Sequence, residues 1–128
     1  RAPRHCAELA ELVCRWHIMF HQVGQLKSKT ILKVLQKTDA FRRPERFAAM
    51  LNVCRADAQG RLGFEHAAYP QREHWLALLA AAQQTDTAAI VAAHAEQPQR
   101  IAEAIAADRL ARIKPLQEAY RREQGKAT

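Results

Sequence analysis

At 128 residues with 48% apolar content, the chain is long enough for one domain with a buried core. Alanine is abundant, Gly and Pro are scarce, and β-branched and aromatic residues never alternate over a strand's length; this excludes a sheet protein and predicts an all-α fold, an irregular bundle of about five to six helices. A net charge of +7 and a pI near 9.8 point toward polyanionic partners, and the lack of any apolar run near the ~20 residues of a bilayer span argues against a membrane partner.

The charge is unevenly placed. Residues 1–64 hold twelve Lys or Arg against five Asp or Glu, and residues 65–128 hold eight against eight, so the whole surplus lies in the first half. Between 27 and 46 there are seven basic residues and two acidic ones. Such a concentration builds a local positive potential that suits nucleic acid; the plainer reading is a solvated helix face. The cysteines, Cys6, Cys14 and Cys54, form no CxxC pair and read as free thiols buried on apolar helix faces in a reducing cytoplasm. The first residue is Arg1 rather than Met and helical periodicity starts almost at once, which suggests a piece of a longer protein without a signal peptide.

In chain order, the first helix is expected over 3–23, with Pro3 in its first turn and Cys6, Leu9, Val13, Trp16 and Phe20 recurring at three- and four-residue steps. Leu12, Met19 and Val23 widen that stripe until it needs more than one partner helix. Gly24 is a natural C-cap, and Ser28 offers an N-cap to a helix over 28–38. There Ile31, Leu32, Val34 and Leu35 face inward, and Lys29, Lys33 and Lys37 fall one turn apart on the outside.

The stretch 39–65 is the most distinctive. Arg43 precedes Pro44, so the chain leaves helical geometry there, and Pro44 starts a third helix at its first position. Phe47, Met50, Leu51, Cys54 and Ala58 give it one apolar side, and Gly60 and Gly63 end it. Arg42, Arg43, Arg46, Arg55 and Arg61 gather around this helix and its ends. Guanidinium groups near a helix N-terminus suit phosphate, so these five, with Lys33 and Lys37, are the candidate RNA-binding residues. Asp57 and Arg61 are four apart and can pair with each other instead. Further on, Phe64 and Tyr69 anchor a loop. Helices follow over 70–84, 85–94 and from 98 past Tyr120; Pro115 is expected to kink or break the last one, and the tail from Arg121 to fray.

No catalytic residue is assigned. There is no GxxxxGK[ST] or GxGxxG loop, the single Ser28 reads as a cap, and no DxD pair offers two-metal phosphoryl chemistry. His17 and His21, at i and i+4, share a helix face as metal ligands can. An HExxH pattern would need Glu where Ile18 stands, so structural histidines are the better reading and no metal is expected.

The residues TILKVLQKTDAFRRPERF at 30–47, CRADAQGRLGFE at 54–65 and YPQ at 69–71 resemble the C-terminal part of bacterial CCA-adding enzymes, the tRNA nucleotidyltransferases, above all the multifunctional form with an HD-type phosphohydrolase domain. The likeness extends from about residue 9 toward the last helix and thins after 84. It implies a parent enzyme that adds CCA to tRNA 3′ ends with Mg²⁺ and two carboxylates in an N-terminal nucleotidyltransferase head. It implies further that this region contacts tRNA, with 1–24 ending the HD-type domain and 25–128 forming the tRNA-binding body and tail. Its partners would be tRNA and the upstream nucleotidyltransferase and HD domains. Where some relatives would carry a His-Asp pair, this chain has His17-Ile18, which argues further against a metal. The alternative is a helical protein–protein or oligomerisation module, a homodimer included, built on the wide stripe of the first helix.

Overall fold

The computed structural model describes residues 4–60 and 63–127, with side chains over 7–60 and 63–125. These residues form six α-helices: α1 Arg4–His21, α2 Ser28–Lys37, α3 Pro44–Gln59, α4 Pro70–Gln83, α5 Thr87–Ala93 and α6 Ile101–Ala127. Short 3₁₀ turns at Val23–Gln25 and Pro98–Arg100 join α1 to α2 and lead into α6. There is no strand among the described residues, as the composition predicts.

The core assembles around Trp75. Its ring meets Phe20 at 5.4 Å and Phe47 at 6.0 Å, both edge-on, and Phe20 meets Phe47 at 5.6 Å. Three rings from α1, α3 and α4 thus interlock in the arrangement their quadrupoles favour. The indole Nε1 donates to the Phe20 carbonyl at 3.1 Å, so the one polar atom of the cluster is satisfied. Ile31, Leu32, Val34 and Leu35 of α2 and Met50, Leu51 and Cys54 of α3 complete the interior. α6 packs against α4, α2 and α5 and contributes Ile113.

Several local expectations are corrected. α6 runs unbroken through Pro115; Pro115 is exposed, and buried Ile113 and Gln117 on either side hold both halves to the core. The helix also continues past Arg121 to Ala127 rather than fraying. Gly24 is not a C-cap, since α1 has ended at His21. A Cβ there would lie 3.3 Å from Tyr120 Cε2, so the residue is small because the last helix passes close by. Lys27 rather than Ser28 occupies the cap position of α2, without a side-chain cap bond. Phe64 is exposed, leaving Tyr69 as the loop's buried anchor, and Cys14 is exposed while Cys54 is buried. The most apolar stretch, Pro70–Ala93, reaches mean hydropathy 1.3 over an 18-residue window, but it is two helices divided by a turn. α4 alone, at 14 residues, reaches about 21 Å of a hydrocarbon layer about 30 Å thick.

Candidate nucleic-acid interface

The basic surface begins with the amphipathic α2. Its inner residues seat it in the core, so Lys29, Lys33 and Lys37 emerge on the outside about 6 Å apart along the axis. The helix then ends in a Schellman motif. The Asp39 N–H donates to the Gln36 carbonyl at 3.1 Å, and the Ala40 N–H donates to the Leu35 carbonyl at 3.0 Å. Such a cap puts one residue in the left-handed region, usually glycine; here Asp39 takes it, at φ 59°. Buried Ala40 packs beneath. Asp39 also faces the Arg42 Nε at 3.7 Å, and its carbonyl accepts from the Arg43 N–H at 2.9 Å. Thr38 is buried and donates its hydroxyl to the Val34 carbonyl at 2.7 Å. The turn is therefore built from backbone bonds, and it leaves Arg42 and Arg43 exposed beside the first turn of α3.

The structure divides the sequence-derived set. Lys33, Lys37, Arg42 and Arg43 share the α2–α3 corner and point to solvent. Arg46 turns inward: its Nη2 donates to the Thr38 carbonyl at 2.8 Å, and its Nε is buried without a hydrogen-bond partner. It ties α3 to the end of α2. Arg55, half-buried, lies at the other end of α3 in a cleft with Gln59, Glu73 and Tyr120. Arg61 lies outside the described residues. Asp57, expected to pair with Arg61 or stand as a structural carboxylate, meets His21 Nε2 at 3.6 Å.

Two cations belong to the same surface and were missed from the sequence set. Lys114 of α6 lines a groove with Lys27 and Lys29 at the start of α2. Arg109, five residues earlier on α6, stacks over the Phe41 ring at 3.9 Å, where burial lowers its pKa. α6 therefore runs antiparallel to α2, with one cation at each end of it. The spacing of Lys29 with Lys33 and Lys37 was a usable signal for Lys29; nothing in the sequence places 114 next to 27. Among the described residues Lys27, Lys29, Lys33, Lys37, Arg43 and Lys114 make no ion pair.

Two other polar clusters lie apart from this surface. His17 Nδ1 faces the Cys14 carbonyl at 2.9 Å. His21 Nδ1 lies 2.8 Å from the Tyr69 hydroxyl, and with Asp57 on the Nε2 side the arrangement fits a Tyr69 donor. Burial raises the Tyr69 pKa, which keeps that proton on the phenol. No group of three or more His, Cys, Asp or Glu able to hold a metal occurs among the described residues. The second cluster is central. Gln117 Nε2 donates to the Val23 and Leu26 carbonyls, both at 2.9 Å, so its Oε1 accepts from His74 Nε2 at 2.7 Å. His74 stacks on Tyr120 at 3.8 Å, and burial lowers its pKa despite the Gln117 bond. Cys54 is inert, its thiol pushed up to about 11 by burial and by Asp57. These groups hold helices together.

A basic all-α segment with a built cationic edge is the class the geometry defines. Comparison narrows it. The chain is 67% identical over 128 residues to the multifunctional CCA protein of Neisseria meningitidis serogroup A. It is 68% identical over 123 residues to that of Neisseria gonorrhoeae, and 45% over 97 residues to that of Chromobacterium violaceum. These alignments cover 98%, 94% and 76% of this chain, and 31%, 30% and 24% of the relatives' lengths. No family model matches the chain, and no solved structure does. The chain matches a segment of these multifunctional CCA proteins and spans about a third of the length of the curated relatives it matches.

Proposed function

We propose that this segment is the C-terminal tRNA-holding region of a cytoplasmic tRNA nucleotidyltransferase that adds CCA. The observation that carries the reading is the α2 edge, where Lys29, Lys33, Lys37, Arg42 and Arg43 stand exposed on a corner fixed by backbone hydrogen bonds. Cations so placed displace condensed counterions from a phosphate backbone and follow the shape of an A-form stem without reading its sequence. Lys114 and Lys27 extend the edge onto α6. Arg46 supports the corner from inside, and Arg55 stands apart from it at the other end of α3. The nucleotidyl transfer, its Mg²⁺ and its carboxylates belong to a head elsewhere in the longer polypeptide; the described residues offer no group that fits the metal. In the same reading residues 1–24 close an HD-type domain, and 25–128 form the tRNA-binding body and tail.

The test is tRNA affinity across a salt series. Removing Lys33, Lys37, Arg42 and Arg43 together (each to Ala) is expected to lower the slope of log K against log salt by about 0.7–0.9 per lost contact. An affinity at low salt no greater than that of a neutral helical protein, or a slope unchanged in the fourfold variant, would overturn the reading.

A further inference from the structure

Two extended residues join the 3₁₀ turn at Val23–Gln25 to α2: Leu26 and Lys27, at ψ 144° and 154°. No helical bond of α2 is made until the Ile31 N–H donates to the Lys27 carbonyl at 3.0 Å. The direction in which α2 leaves the turn is therefore set from elsewhere. Gln117 of α6 supplies the hold. Its Nε2 donates to the Val23 and Leu26 carbonyls, both at 2.9 Å. Its Oε1 accepts from His74 Nε2 at 2.7 Å, so the amide cannot turn its donor end away without losing that bond. Gln117 is 2% exposed, where such bonds are costly to break.

The same node sits under a group of cations. Lys27 follows Leu26 directly, and Lys114 stands three residues before Gln117 on α6, a neighbouring position on the helix surface. Lys27, Lys29 and Lys114 line one groove over Ala107, Leu110 and Ala111, and no carboxylate lines it with them. Like charges gathered in one groove repel. That repulsion pushes the start of α2 away from α6, and the two bonds from Gln117 oppose it.

We propose that Gln117 is a positioning residue for this groove: by pinning two carbonyls to α6 it sets Lys27 and Lys29 against Lys114, so that a phosphate backbone is gripped from two helices at once. The proposal rests on the RNA-binding reading and goes beyond it, since Gln117 is buried and touches no RNA itself. The part of the edge from Lys33 to Arg43 is fixed by its own turn and does not depend on Gln117.

The experiment uses the full-length polypeptide. Gln117→Met, close in volume but unable to donate, is expected to lower the slope of log K against log salt for tRNA by about 1.4–1.8, the share of two phosphate contacts. Lys27→Ala with Lys114→Ala is expected to give the same drop, and adding both to Gln117→Met no further drop. Lys33→Ala with Lys37→Ala should cost equally with or without Gln117. Hydrogen exchange reads the positioning without RNA. In Gln117→Met the Leu26 and Ile31 amides are expected to exchange at least about tenfold faster, with Thr38 and Ala40 at the far end of α2 unchanged. A general loss of stability would move all four together. His74→Phe, which frees the amide to turn, is expected to give the same pattern more weakly and serves should Gln117→Met fail to fold. An unchanged slope, a further drop when Lys27 and Lys114 are removed from Gln117→Met, or exchange that rises at all four amides alike would each overturn the proposal. A wild-type polypeptide without salt-dependent tRNA affinity would overturn the proposed function and with it the use of the groove; the exchange pattern then decides the hold on α2 alone.

Discussion

The α2–α3 corner and the seam between α4 and α6 solve opposite problems. At the corner, partners lie within a few residues of one another: the Schellman bonds span 35–40, and Arg46 reaches back only to Thr38. Charge is exported, and backbone groups make the structure. At the seam, partners come from opposite ends of the chain. Gln117 bonds to Val23 and Leu26, and His74 to Gln117, so polar side chains are imported into the interior and fully satisfied there. The contrast teaches that a surface built to be sampled by a ligand can rest on local, inexpensive geometry. The seat beneath it depends on a few buried polar groups whose loss is costly.

Gln117→Leu attacks the seam most directly. It strands the Leu26 carbonyl and the His74 N–H and leaves the Val23 carbonyl with only the Leu26 N–H as donor, and is expected to cost about 3 kcal/mol of unfolding free energy in denaturant titrations. A loss below about 1 kcal/mol would mean that the seam contributes no more than an ordinary hydrogen bond. At the corner, Asp39→Val places a β-branched residue at φ 59° and is expected to cost about 1–2 kcal/mol. Asp39→Gly, which accepts that angle freely, should hold stability within about 0.5 kcal/mol. If both behave alike, the left-handed cap is not what fixes the corner.

The pH dependence sharpens the same contrast. Burial depresses the His74 pKa below its ordinary 6.5. Between that depressed value and 6.5 the unfolded chain binds more protons than the folded one, so stability falls as pH falls through this window. The term is fully present above pH 6.5 and lost below the folded pKa. His74→Gln should flatten that part of the stability–pH curve; an unchanged slope would place the titration elsewhere. The smallest effect is expected where the charge is most exposed. Lys33→Ala and Lys37→Ala should each move stability by no more than about 0.5 kcal/mol, even though both belong to the edge proposed to hold RNA.

The corner was largely legible in the sequence because its causes are local. Pro44 sets a helix start, and the run of Ile31, Leu32, Val34 and Leu35 decides which side of α2 is buried. The four-residue spacing of lysines then fixes the exposed edge. Arg46 shows where that reasoning ends, since Arg42 and Arg43 before it stand exposed while its own side chain finds the Thr38 carbonyl. The seam was not legible. Gln117 and His74 look like surface residues in helical periodicity, and only the packing of the last helix against the first turn brings them together. Gly24 misled for the same reason, as its small size answers to Tyr120 rather than to a backbone angle. The unbroken α6 shows tertiary contact overriding the local penalty of Pro115.

That contact between Gly24 and Tyr120 sets an order of events as the chain leaves the ribosome. The α1–α3 elements, with Phe20 and Phe47, emerge first and can collapse early. The face of α4 that α6 covers waits for the 45 residues between Trp75 and Tyr120, about 2–9 s at ordinary elongation rates. Until then the nascent chain shows an open apolar flank on α4, and α6 is the element that closes it.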